Sequence, residues 1–90
     1  MSVQLKLTMI SRSGCHLCDV AEDALARVIG RFGVEHPAVS YEVERLDVDQ
    51  DQELLTKYSD EVPVLLLNGR QLAFWRIDEE RVFSAMEAEL

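Results

Sequence analysis

The apolar period of this chain changes once within its first third, and that change limits the folds open to it. In "VQLKLTMI", residues 3 to 10, Val3, Leu5, Leu7 and Met9 alternate with their neighbours, the two-residue period of a strand. From Leu17 onward the period becomes helical: Leu17, Val20, Ala21, Ala24, Leu25, Val28, Ile29 and Phe32 fall on one broad face. Asp19, Glu22 and Asp23 stand early in this stretch and Arg27 and Arg31 late, the order that a helix dipole favours, and Gly33 suits a C-terminal cap. A strand running straight into a helix with a wide apolar face has to bury that face against a sheet. "YEVERLDV", residues 41 to 48, supplies the second strand, and its charge predicts a place at the sheet edge.

The remaining elements follow from local signals. In "DQDQELLTKYSDE", Asp49 or Asp51 can cap a short helix that carries Leu54, Leu55 and Tyr58 on one face. "VPVLLLNGRQLAFW" is two apolar runs joined by Asn68-Gly69, a tight hairpin because both residues tolerate positive φ. Asp78 caps a last helix, "EERVFSAMEAEL", with Val82, Phe83, Met86 and Leu90 facing inward. The order is β-α-β-α-β-β-α. Its first three elements predict a right-handed parallel β-α-β unit, and its last three a hairpin with a covering helix. The expected fold is α/β, a four-stranded mixed sheet with helices on both faces, in one domain spanning residues 1–90.

Composition excludes several classes of function. No apolar run approaches the roughly 20 residues of a membrane span. The nine lysines and arginines are scattered in a chain of net charge -8, so no basic stripe is available for nucleic acid. "MSVQLKLTMI" has neither a basic leader nor a small-residue cleavage site and reads as a strand, which predicts a cytoplasmic protein. The protein is separately expected to act as a monomer.

The only two cysteines, Cys15 and Cys18, lie three apart where the period changes. They can be two small buried residues, half of a metal site, or a redox pair. A structural zinc site needs about four ligands, and the chain adds only His16 and His36, so no metal is expected. Redox chemistry suits the position. At helical geometry, with a rise of about 1.5 Å and a turn of about 100° per residue, positions three apart have Cα atoms about 5 Å apart. That is inside the roughly 4.4–6.8 Å that a disulfide spans. Cys15 falls at the helix N-terminus, where unpaired N–H groups stabilise a thiolate, so it is the expected nucleophile; Cys18, one turn further in, is the expected resolving thiol. Gly14 permits a sharp approach from strand to helix or is an ordinary turn glycine. His16 either stabilises the thiolate when protonated or is the exposed residue of the turn. Arg12 either supplies positive charge for a thiolate or an anionic substrate, or is a solvated loop arginine.

"CHLC" between a first strand and helix, and "EVPV" before a later hairpin, resemble the glutaredoxins and the wider thioredoxin-fold oxidoreductases. The nearest likeness is to small glutaredoxin-like proteins with a "CxLC" pair and "VPVLxxNG". The resemblance implies a thiol-disulfide oxidoreductase in cell redox homeostasis, exchanging its cysteine pair with protein disulfides or glutathione-type substrates and needing no bound cofactor. It implies a cis Val62-Pro63 bond facing the cysteines, with the backbone of Val62 pairing with a bound peptide or glutathione. Arg12 matches a lysine often found three residues before the nucleophile, and residues 50–58 match the second helix. Where glutaredoxins have Gly-Gly, a polar residue and an aspartate for the glutamyl end of glutathione, this chain has Ala73, Phe74, Trp75 and Arg76, which predicts poor use of glutathione as reductant. His16-Leu17 likewise replaces the more familiar Pro-Tyr or Gly-Pro. Two other functions fit the same fold: a cluster-binding protein in which two chains share an iron-sulfur cluster through Cys15 and external thiols, or a redox-inert interaction domain with Phe74 and Trp75 as its contact patch.

Overall fold

The computed structural model describes residues 4–90 and has the expected order of elements. These are β1 (Leu5–Ser11), α1 (His16–Glu35), β2 (Tyr41–Asp47), a 3-10 turn (Val48–Gln50), α2 (Gln52–Tyr58), β3 (Val64–Leu67), β4 (Arg70–Phe74) and α3 (Glu79–Ala88). Val3, expected in the first strand, lies outside the described residues. The sheet order is β2-β1-β3-β4, with β1 parallel to β2 and the β1–β3 and β3–β4 pairs antiparallel. β2 is an edge strand, as its charge predicts.

β1 is central, and its residues from Leu7 to Ile10 are buried on both faces of the sheet. Leu5, Leu7 and Met9 pack with Leu25, Val28 and Phe32 of α1 and Val82, Phe83 and Met86 of α3 in one cluster. Ile10 belongs to a second cluster with Val48, Tyr58 and Val64, which seats α2 on the other face of the sheet. A fully buried side chain of this size contributes about 1.5–3 kcal/mol, so the two clusters are the main force holding the helices to the sheet.

Three details of the helices differ from expectation. Gly33 does not end α1; the helix runs on to Glu35, and His36 caps it with its N–H bonded to the Phe32 carbonyl at 2.8 Å. The stop comes from Pro37, which disfavours helical geometry at the residue before it, and His36 accordingly sits at φ -133, ψ 63. Leu17 and Val20 do not face the core: the buried stripe is Cys18, Ala21, Ala24, Leu25, Val28 and Phe32, so the apolar arc is wider than the sheet can cover. Leu90 is exposed, because α3 ends at Ala88.

The caps and the turn behave as their residues require. Asp51, rather than Asp49, caps α2 by accepting from the N–H groups of Glu53 and Leu54. Asp78 caps α3 through the Arg81 N–H. Asn68 and Gly69 take φ values of 51 and 82, the two left-handed positions of a tight hairpin.

Candidate active site

The site begins where β1 hands the chain to α1. Gly14 takes φ 75, a conformation that side-chain-bearing residues rarely adopt, and this turns the chain so that Cys15 becomes the N-cap of α1. Cys15 itself is extended, at φ -93 and ψ 109, and its Sγ accepts from the Cys18 N–H at 3.1 Å. A sulfur thus stands where a helix usually has the oxygen of Ser or Asp. The positive end of the helix and a directed N–H favour negative charge there once the pair is reduced. In the structure Cys15 and Cys18 form a disulfide, with Cα atoms 5.2 Å apart. Cys18 is 4% exposed, whereas Cys15 is half-buried and reachable from outside. His16 starts the helix, exposed and with no hydrogen-bond partner among the described residues.

The Val62-Pro63 segment lies at the same end of the sheet. Ile10 pairs with Val64, so Pro63 sits one step beyond the β1–β3 ladder, next to the C-terminal end of β1 where the cysteine turn starts. The Val62-Pro63 bond is cis and Pro63 is buried. Neither the N–H nor the C=O of Val62 has a hydrogen-bond partner among the described residues. An extended chain laid along it would find one donor and one acceptor ready.

Arg12 is held more tightly than a loop arginine needs to be. Its Nε and Nη2 donate to the two carboxylate oxygens of Asp49 at 2.9 and 3.1 Å, and its Nη1 and Nη2 reach the Ser59 carbonyl and hydroxyl at 3.4 and 3.2 Å. Donating these hydrogen bonds to Asp49 raises the pKa of the guanidinium above its ordinary value, so the charge is permanent but already paired. An anion approaching Arg12 has to share it with Asp49.

Trp75 is the residue that sequence reasoning did not mark for its backbone. It takes φ 63, which costs a side-chain-bearing residue about 1–2 kcal/mol. Its N–H donates to the carbonyls of Pro63 at 2.8 Å and Glu61 at 3.3 Å, and its indole Nε1–H donates to the Asp60 carbonyl at 2.8 Å. These bonds tie the β4–α3 loop to residues 60–63 and offset the strained backbone. Nothing in a tryptophan's local sequence signals a left-handed backbone; the one hint is its place beside the missing Gly-Gly. Leu17, Val20, Trp75 and Ile77 line a groove of about 220 Å³ between the first turns of α1 and this loop.

A family model described as Glutaredoxin-like domain (DUF836) matches residues 6–87, nearly the whole chain. The chain belongs to this glutaredoxin-like family. A structural-genomics target from X. campestris, solved by X-ray, is 34% identical to this glutaredoxin-like domain with a TM-score of 0.67, covering 91% of this chain and 96% of that one. A thioredoxin from Halobacterium salinarum shares the fold at a TM-score of 0.64 and 22% identity, covering 97% and 75% of the two chains. A glutaredoxin-like protein of Dictyostelium discoideum is 23% identical over 88 residues, 96% of this chain and 79% of its own. The glutaredoxin-like domain therefore has a thioredoxin-type fold with a Cys-x-x-Cys pair at disulfide distance, compatible with redox function. Among its described residues no group of three or more His, Cys, Asp and Glu is arranged to hold a metal ion, and no helix is long and apolar enough to cross a membrane.

Proposed function

We propose that this glutaredoxin-like domain is a thiol-disulfide oxidoreductase whose preferred substrates are protein disulfides. One observation carries the reading: the half-buried Cys15 caps α1 with a backbone N–H directed at its sulfur, while its partner Cys18 is buried one turn below. The two thiols thus have unequal environments, which is what a two-step exchange requires.

In the reduced state the Cys15 thiolate attacks one sulfur of the substrate disulfide. A bond forms between Cys15 and that sulfur, the substrate S–S bond breaks, and the other substrate sulfur leaves with the electron pair and takes up a proton. Cys18 then loses its proton and attacks the Cys15 sulfur, releasing the second substrate thiol and forming the Cys15–Cys18 disulfide. The substrate gains two electrons and two protons; the cysteine pair supplies both electrons and the Cys18 proton, and the second proton, given up to solvent when the Cys15 thiolate formed, returns from solvent. The unpaired N–H and C=O of Val62 support an extended substrate chain lying beside the pair, with buried Pro63 as the floor. Gly14 sets the turn, and exposed His16 is free to lend positive charge when protonated.

A redox titration tests the reading. Equilibrating the protein in defined ratios of reduced to oxidised dithiothreitol, and trapping free thiols, should give a single two-electron transition that disappears in a Cys15→Ser variant. A pair that does not reduce reversibly while the protein stays folded would count against it.

A further inference from the structure

Among the described residues, seven large apolar side chains are exposed, and they are not evenly spread. Val34, Tyr41 and Leu90 stand at the end of the sheet away from the cysteines. Leu17, Val20 and Trp75, exposed by 40%, 49% and 51%, line one groove, and Phe74 packs edge-on against Trp75 with ring centroids 5.1 Å apart. Leu17 lies between the two cysteines in sequence, so one end of the groove reaches the first turn of α1 that carries them, although neither cysteine lines it. Its volume of about 220 Å³ is below the roughly 300–1,000 Å³ of clefts that bury small-molecule ligands. It suits a single large side chain of a polypeptide better than a cofactor.

The charge of the groove is as uneven as its apolar lining. Arg27 and Glu79 both face it, but three guanidinium-carboxylate contacts of 3.0–3.3 Å bind them to each other. Arg76 lines the same groove and has no carboxylate within ion-pair distance among the described residues, although the chain has net charge -8. Away from this groove, Lys6, Arg12, Arg31, Arg45 and Arg70 are paired with carboxylates, while Lys57 and Arg81 have no ion pair among the described residues; Arg76 is the unpaired cation that lines the groove. With Arg27 and Glu79 cancelling, one unpaired positive charge remains at the edge of an apolar slot.

We infer that this groove is the specificity site for protein substrates. It takes an extended segment in which an apolar residue next to the attacked cysteine sits among Leu17, Val20 and Trp75, and an adjacent Asp or Glu pairs with Arg76. The inference rests on the exchange reaction proposed above: the groove orients the substrate, and Cys15 and Cys18 carry the electrons.

The test uses disulfide-linked peptide dimers in which the cysteine is followed by leucine and then by glutamate or lysine, and the same pair with the order reversed. The reduced protein is mixed with each at low ionic strength, and the rate of peptide-thiol release is read by mass spectrometry. The neutral disulfide of 2-mercaptoethanol reports whether exchange occurs at all. An exposed ion pair contributes about 0.2–1 kcal/mol, and reversing Arg76 turns attraction into repulsion, so Arg76→Glu should lower the glutamate-to-lysine rate ratio by about three- to tenfold. Arg76→Gln should give an intermediate ratio, and replacing the peptide leucine by serine should slow exchange with the unaltered protein. Comparing each variant's ratio with that of the unaltered protein cancels the bias that their shared net charge imposes on both peptides, apart from the two units by which Arg76→Glu changes it. An unchanged ratio in both Arg76 variants, or indifference to the leucine, overturns the inference while exchange with the neutral disulfide leaves the oxidoreductase reading standing. Failure to react with any disulfide overturns both.

Discussion

The amide of Trp75 donates to the carbonyl of Pro63 at 2.8 Å, and Trp75 reaches this position only by adopting φ 63. A residue with a Cβ pays for that backbone, whereas glycine does not. Replacing Trp75 by glycine or by alanine removes the same indole, including its bond to the Asp60 carbonyl, so the two variants differ mainly in backbone preference. The left-handed penalty of about 1–2 kcal/mol on alanine exceeds the 0.4–1 kcal/mol or so that alanine gains through a stiffer unfolded chain. Trp75→Gly should therefore be more stable than Trp75→Ala by about 0.5–1 kcal/mol in urea unfolding. An alanine variant equal to or more stable than the glycine variant would contradict the backbone assignment.

The unequal burial of the two cysteines sets their order of reaction. In the reduced protein, iodoacetamide at neutral pH should label Cys15 well before Cys18, since Cys18 is 4% exposed and lies within the core stripe of α1. Cys18→Ser should leave a stable mixed disulfide between Cys15 and a substrate thiol, and Cys15→Ser should leave none. Faster labelling of Cys18 would reverse the roles.

Phe32 joins the two helices that cover one face of the sheet. It is fully buried and meets Phe83 of α3 edge-on with ring centroids 5.8 Å apart. Phe32→Ala should cost about 3–5 kcal/mol, a large share of the roughly 5–15 kcal/mol that stabilises a typical domain. Two residues on, Val34 is exposed, and Val34→Ala should change the unfolding free energy by less than about 0.5 kcal/mol. Similar losses from the two substitutions would mean that the face of α1 has been misassigned.

The sequence made the fold legible wherever the signal was local. The two-residue period of β1, the helical period after it, and Asn68-Gly69 each depend on neighbours within a few positions, and each element forms, although α1 runs past Gly33 to Glu35. The cysteine site was legible for the same reason, because its chemistry needs only a short spacing at a helix start. What was not legible depends on distant chain. Asp49 stood out as a possible cap, but it pairs with Arg12 across 37 residues, which no local pattern could indicate. Leu17 and Val20 belong to the apolar period of α1 and yet stay exposed, because the sheet is narrower than the apolar arc. The left-handed backbone of Trp75 is held by carbonyls of the 60–63 segment, so its cause also lies outside its own stretch of sequence.

Two features of the site bear on glutathione, and they act in the same direction. Arg12, which would have to hold a carboxylate of the ligand, is already forked onto Asp49, and bulky Phe74 and Trp75 stand where the glutaredoxins that the chain resembles have Gly-Gly. Each charge-assisted hydrogen bond that the ligand fails to make costs about 1.5–3 kcal/mol, roughly ten- to a hundredfold in affinity. Turnover in a glutathione-coupled disulfide assay should therefore be poor, and NMR titration with glutathione should give only weak shifts around Arg12, Val62 and Trp75. The arrangement of Arg12 also predicts how binding can be improved. Asp49→Ala releases the guanidinium without touching the cysteines, so it should strengthen glutathione binding and enlarge the shifts at Arg12, more so at low salt, where an exposed charge is least screened. Saturation of the unaltered protein at micromolar glutathione would show that neither obstacle matters. Weaker binding in the Asp49 variant would show that the pair with Asp49 holds Arg12 in place for the ligand instead of competing with it.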